Sequence, residues 1–254
     1  MLFLFYLSIE SKKPNITTLY DDIKNNFNTG DIILFTCYNH NDLIDRIVYN
    51  CRTKLVGTNY GHSGIILKTD KNIYVIECCG YDQCGFNRAK YLSNKKKNGG
   101  IRLIKLYDLL LIYHYKYNAS FSVMHTSAPI DNNLLINKLN KYIDIDFQQK
   151  SILLLLAVTD IFISNEIAKL MAVKIDDKKM ICTEFTYKLL EDCGIFKPYP
   201  SKLFWPHTFA NIKFYDLLNV SYSEPIKFVI TNNDKYYCDK CIDYSKLDNK
   251  YNTN

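Results

Sequence analysis

The chain has 254 residues, 48% of them hydrophobic and 23% charged, and a formal net charge of +6. That is enough apolar material for one good-sized core and rules out wholesale disorder. The positive excess is mild and its lysines are scattered without a basic, aromatic-rich stripe, so no nucleic-acid partner is expected.

Nine cysteines without regular spacing follow an apolar but short start, Met1 to Leu7, that lacks a basic flank and a small-residue cleavage site. Reduced thiols in a cytoplasmic chain are the expectation. The longest apolar stretch, 152–163, is broken by Asp160 and falls short of the about 20 residues a membrane span needs. It reads as a buried helix, with a hydrophobic lip for an acyl substrate, in peripheral contact with a membrane, as the alternative. The 21 tyrosines, many Asn, Lys and Ile, and only 9 glycines suit AT-rich codons. A large DNA virus has such a genome, and would put the chain in the host cytoplasm or the virion.

In chain order, residues 1–28 read as a lead-in, with Thr18 as N-cap of a short helix ending at Asn25. Asn28-Thr29-Gly30 is a turn, followed by a buried strand from Asp31 to Thr36. Leu43, Ile44, Ile47 and Val48 recur at helical spacing over 42–50. Gly61 to Leu67 and Ile73 to Cys78 are two strands joined by a hairpin turn at Asp70-Lys71-Asn72. Lys95-Lys96-Lys97 with Asn98-Gly99-Gly100 reads as a solvated turn, Ile101 to Leu106 as a half-exposed strand, and Phe121 to His125 as another strand. Helices are expected over 132–143, 151–173 and 182–192, the last capped by Cys193-Gly194, then a strand over 226–231. Strands first, helices in the middle and a strand near the end make an α+β arrangement. One domain over 29–231 precedes a polar tail, 232–254.

Three residues stand out for chemistry. Cys182, at the start of a predicted helix, has its thiol where unpaired N–H groups and the positive dipole end favour thiolate and would hold an oxyanion. Taken alone it is also a packed core thiol. His62 lies among small residues, Gly61, Ser63 and Gly64, that leave room for a substrate; a structural histidine is the other reading. Glu77 closes an apolar strand. Counting eight residues from His62 to Asp70 and seven from Asp70 to Glu77, the hairpin sets the acid near His62, where it would orient the imidazole.

Thr29-Gly30-Asp31-Ile32-Ile33-Leu34-Phe35, Gly61-His62-Ser63-Gly64-Ile65-Ile66, Val75-Ile76-Glu77 and Ile181-Cys182-Thr183-Glu184-Phe185 together resemble the circularly permuted papain-like amidases. This group comprises YiiX-like bacterial proteins and poxvirus relatives, related to NlpC-type peptidases and lecithin retinol acyltransferase. There the histidine strand precedes the cysteine helix, the order seen here. The resemblance spans roughly residues 30–209 and implies a permuted papain-like fold. It implies Cys182 as nucleophile, His62 as base, Glu77 as orienting acid, Asp31 as a structural turn residue, and Tyr60 and Thr183 as substrate or oxyanion contacts. The long, apolar stretch 105–179 departs from a minimal version.

The activity so implied is amide hydrolysis through a thioester, without a cofactor. A lipid acyltransferase or phospholipase, or an inactive virion scaffold, are the alternatives; the substrate is a peptide, an amide or an acyl lipid. Cys238-Asp239-Lys240-Cys241 is a single pair short of the four ligands of structural zinc, so no metal is expected.

Overall fold

The computed structural model describes residues 17–36, 60–80, 90–91, 99–117, 119–147, 179–199, 201, 208–209 and 212–230. The helices expected over 42–50 and 151–173, the polar tail and the Cys238/Cys241 pair lie outside the described residues.

The N-terminal half supplies β1 (Thr17–Leu19), α1 (Tyr20–Ile23), β2 (Ile32–Thr36), β3 (Tyr60–Lys68), β4 (Ile73–Gly80), β5 (Lys90–Tyr91), β6 (Gly99–Lys105), α2 (Leu106–Tyr117) and β7 (Ser120–Met124). Then come α3 (Asn132–Leu139), β8 (Asp146–Phe147), β9 (Lys179–Met180), α4 (Cys182–Asp192), α5 (Ile212–Asp216) and β10 (Ile226–Val229). Eight strands form one sheet in the order β1-β10-β7-β2-β3-β4-β6-β5, while β8 and β9 pair separately. Every pairing in the large sheet is antiparallel except β1 with β10.

Both faces of the sheet are covered, which explains why its central strands read as continuous apolar runs instead of alternating. Ile32, Leu34, Ile65, Leu67, Ile76 and Met124 point into one core, closed by Phe185, Leu189 and Leu190 of α4. Ile33, Phe35, Ile66, Val75, Ile104 and Phe121 point into a second, closed by Leu106, Leu109, Leu110 and Tyr113 of α2. Each of these side chains contributes about 1.5–3 kcal/mol by leaving water. The chain is thus α+β, a mostly antiparallel sheet packed against helices.

Four local expectations are corrected. Thr18 is not an N-cap: it lies in β1 opposite Phe228, and Leu19 precedes α1 without a side-chain cap. Gly99 and Gly100, expected in a solvated turn, are buried and open β6 against Gly80 and Cys79, while Lys95 to Asn98 lie outside the described residues. The β6 strand is not half-exposed, since Arg102 on it is completely buried. Helix α2 was not anticipated, its residues being apolar on most sides (Leu109 to Tyr113 are all buried), which erases the 3.6-residue signature.

Asp31 ends the turn before β2. Its Oδ2 accepts the Asn28 N–H (2.8 Å) and pairs with His125 Nδ1 (2.7 Å), while Oδ1 accepts the Thr126 N–H (2.9 Å). The expected turn residue is therefore also a buried tether from β2 to the chain leaving β7.

Two irregularities prepare the site. The β3–β4 ladder runs from Lys68 opposite Ile73 to Ile65 opposite Ile76 and stops; beyond it β3 stays with β2, and β4 with β6. Helix α4 packs against both strands, at the seam they leave. Opposite β2 the register shifts between Phe35 and Thr36, which face His62 and Tyr60, so Gly61 is the extra residue of a bulge. A bulge re-aims the neighbouring side chain, here His62.

Candidate active site

Cys182 is the first residue of α4, as the sequence pattern predicts. The residue before it, Ile181, has extended backbone (φ −92°, ψ 168°) and no side chain able to cap. The first N–H groups of an α-helix have no acceptor within the helix, and here no N-cap side chain takes one. The helix end therefore presents its donors and positive dipole to the sulfur of Cys182. The backbone N–H groups of Thr183 and Ser63 both donate to that sulfur.

His62 reaches the same point from β3. One ring nitrogen, Nε2, is 2.5 Å from Glu77 Oε2. The ring also hydrogen-bonds the Cys182 side chain, which leaves Nδ1 for the sulfur. Glu77 lies diagonally across the hairpin: the register that pairs Ile65 with Ile76 would set Gly64 opposite Glu77. His62, Gly64 and Glu77 thus share one face, and the missing side chain at Gly64 leaves room for the carboxylate to lean toward the imidazole. Tyr113 of α2 stacks on the His62 ring (centroids 5.7 Å, 19° between planes) and Phe35 lies 5.5 Å away. Those rings pack against the imidazole.

The other oxygen of Glu77 is held by Arg102, directly opposite on β6. Arg102 Nε donates to Glu77 Oε1 (2.6 Å), and Nη2 contacts the same oxygen. Glu77 and Arg102 are 0% exposed, His62 5% and Cys182 7%. Two further hydroxyls fix the helix start: Thr186 Oγ1 donates to the Cys182 carbonyl (2.9 Å) and lies 3.1 Å from Ser63 Oγ.

The charge states follow from this packing. Burial pushes the Cys182 thiol up, but the positive His62, its hydrogen bond and the Ser63 and Thr183 N–H groups outweigh it and bring the pKa below the ordinary thiol value. Burial alone would lower His62; the negative charges of Cys182 and Glu77 reverse that and push it up to about 10. Burial likewise opposes ionisation of Glu77, but Arg102 and then His62 draw its pKa down to about 2. Both shifts run in the direction that favours a thiolate on Cys182 and an imidazolium on His62, beside an ionised Glu77. Cys78, on β4, is the contrast: burial, with Cys79, Cys182, Glu184 and Glu77 around it, pushes its thiol well above the usual range. Cys193 is pushed up as well, so among the described cysteines with a shift only Cys182 is lowered.

Of the five residues singled out from the sequence, Cys182, His62 and Glu77 meet in one hydrogen-bonded chain. Thr183 lies in the first turn of α4, its N–H on the sulfur. Tyr60 is buried, with its hydroxyl donating to Ser122 Oγ of β7 (3.0 Å). Sequence reasoning missed Arg102, Tyr113, Ser63 and Thr186. For Arg102 a signal existed: Glu77 is the one charged residue of its apolar strand, and Arg102 sits among Ile101, Leu103 and Ile104 of another, a pair in waiting. Among the described residues no group of three or more His, Cys, Asp or Glu is arranged to hold a metal ion, and no helix is long and apolar enough to cross a membrane.

No family model matches the chain. It is 38% identical over 232 residues to the uncharacterized protein R372 of Acanthamoeba polyphaga mimivirus, a match covering 89% of this chain and 92% of that one. The crystal structure of metalloprotein YiiX (DUF1105) from Escherichia coli O157:H7 is similar with a TM-score of 0.39 and 12% identity, over 65% of this chain and 66% of that chain.

Proposed function

We propose that the chain, which belongs to one protein family with mimivirus R372, is a cysteine hydrolase that cleaves an amide bond, peptide or isopeptide, through a thioester acyl-enzyme. The observation that carries this reading is the buried chain Cys182–His62–Glu77, with the sulfur at the uncapped N-terminus of α4.

The pair is already charged, so no proton need move before attack. The Cys182 thiolate adds to the carbonyl carbon of the scissile amide. Electron density moves to the carbonyl oxygen, where backbone N–H groups of the first turn of α4 hold it, that of Thr183 turning from the sulfur as the charge leaves it. Collapse of this adduct breaks the C–N bond as His62 gives its proton to the leaving nitrogen, and a thioester on Cys182 remains. Neutral His62 next takes a proton from water; the hydroxide attacks the thioester, the acid product leaves, and the imidazolium–thiolate pair is restored. Glu77 holds the ring orientation throughout and balances its charge.

The test is the reactivity of nine competing cysteines. Native protein is treated briefly with low-dose iodoacetamide from pH 5 to 9, and adducts are located by mass spectrometry. Cys182 is expected to react first and already at acidic pH, and His62→Ala to abolish that lead. Reaction of Cys182 only near the ordinary thiol value of 9.0 would falsify the hydrolase reading.

A further inference from the structure

We propose that Arg102 is a positioning residue of this site: held on the far oxygen of Glu77, it keeps that carboxylate ionised and aimed at His62, and through His62 sustains the reactive thiolate of Cys182. This rests on the reading of Cys182 as the nucleophile.

The geometry divides the carboxylate between two partners. Oε1 faces the guanidinium and Oε2 faces the imidazole, so neither competes with the other. Arg102 and Glu77 are register partners on adjacent strands, and the sheet itself sets their separation. The chain of charges is negative at Cys182, positive at His62, negative at Glu77 and positive at Arg102, a sum of zero. Without Arg102 a net negative charge would be buried among Cys78 and Cys79 on β4, Glu184 on α4 and Tyr113 of α2 over the His62 ring. A buried, uncompensated charge is relieved by protonation. Glu77 is the member placed to take that proton, since Arg102 is the largest influence holding it ionised against burial. A protonated Glu77 no longer supports the charged form of His62, and the thiolate loses its counter-charge. A purely structural Arg102 would affect folding and leave the titration of Cys182 in place.

The closing experiment compares full-length wild type, Arg102→Met, Arg102→Lys, Glu77→Gln and the Glu77→Gln/Arg102→Met double variant. The rate of iodoacetamide alkylation of Cys182 is followed by mass spectrometry from pH 5 to 9, with circular dichroism reporting the folded fraction. At pH 6, Arg102→Met is expected to react roughly tenfold or more slowly than wild type, the equivalent of one pKa unit, and to catch up as pH rises. Arg102→Lys, which restores charge without the fork, should recover part of the loss. In the Glu77→Gln background the Arg102 substitution should add less than about twofold, because its route to Cys182 has gone. If Arg102→Met does not fold, Glu77→Gln against the double variant decides, since replacing both members of a buried pair is better tolerated than removing one. A folded Arg102→Met with the wild-type profile, or an equal Arg102 effect with and without Glu77, overturns the inference. A wild type that itself lacks the acidic limb would instead sink the hydrolase reading, and the role of Arg102 with it.

Discussion

Gly64 is where β3 and β4 begin to part, and Gly64→Ala probes how tightly that seam is set. A Cβ there would lie 2.5 Å from Val75 Cγ1, 3.2 Å from the Ile76 carbonyl oxygen and 3.4 Å from Glu77 Cβ. Carbon atoms rest at about 3.5–4.0 Å, so the strands must separate by about 1 Å or Val75 must leave its rotamer. Val75 is fully buried, against Ile66 and α2 among others, and has nowhere to go. Overpacking of this kind costs about 1–3 kcal/mol. The entropy that alanine removes from the unfolded chain offsets about 0.4–1 kcal/mol of it. The net is a loss of roughly 1–2 kcal/mol, a drop in Tm of about 2–8 °C for a chain of this size. Thermal melts of wild type, Gly64→Ala, Val75→Ala and the double variant test the cause as well as the size. With the Val75 methyls gone, most of the Gly64→Ala penalty should vanish, a coupling of about 1 kcal/mol. A Gly64→Ala protein that melts at or above wild type, or a penalty undiminished in the Val75→Ala background, refutes the steric account.

Thr186→Val removes a buried hydroxyl that donates to the Cys182 carbonyl and meets Ser63, and should cost about 1–3 kcal/mol in urea denaturation; Thr186→Ser should retain most of it. Stability against pH has a shape set by the charged pair. Between the ordinary values of 6.5 for histidine and 9.0 for cysteine, the raised His62 makes stability fall with pH and the lowered Cys182 makes it rise, so the two slopes oppose and the urea midpoint should change little. Above pH 9 the unfolded pair has lost its proton while folded His62 keeps it to about 10, so stability falls. On the acid side the contribution of His62 is fully present, and stability falls as pH drops through the lowered pKa of Cys182. Glu77 adds a further loss as pH drops from 4.5 toward about 2, which Glu77→Gln should abolish. A steady slope between pH 6.5 and 9 would contradict the thiolate–imidazolium assignment.

Much of the site's plan is written locally. An isoleucine before Cys182, instead of a capping residue, leaves the helix donors for the sulfur, and the turn at 69–72 brings His62 and Glu77 to the same end of one hairpin. Both depend on contacts within a few residues, which local chemistry controls. Helix α2 was illegible because it buries nearly every side, and periodicity shows only when one face is left to water. Arg102 was misread for a related reason: alternation in Ile101 to Lys105 looked like a solvated face, but what buries Arg102 is Glu77, 25 residues away in the chain.

The sequence by itself determined the place of Cys182 at a helix start, the hairpin that carries His62 and Glu77, and the α+β class, because each follows from propensity, turn chemistry and spacing. Only the tertiary structure decided that the β3–β4 ladder stops at Ile65 and Ile76, that α4 enters the seam, that Tyr113 lies over His62, and that Arg102 pairs with Glu77. Those are contacts between segments distant in the chain. Their cost and benefit depend on burial, which has no value until the sheet and its two cores have formed.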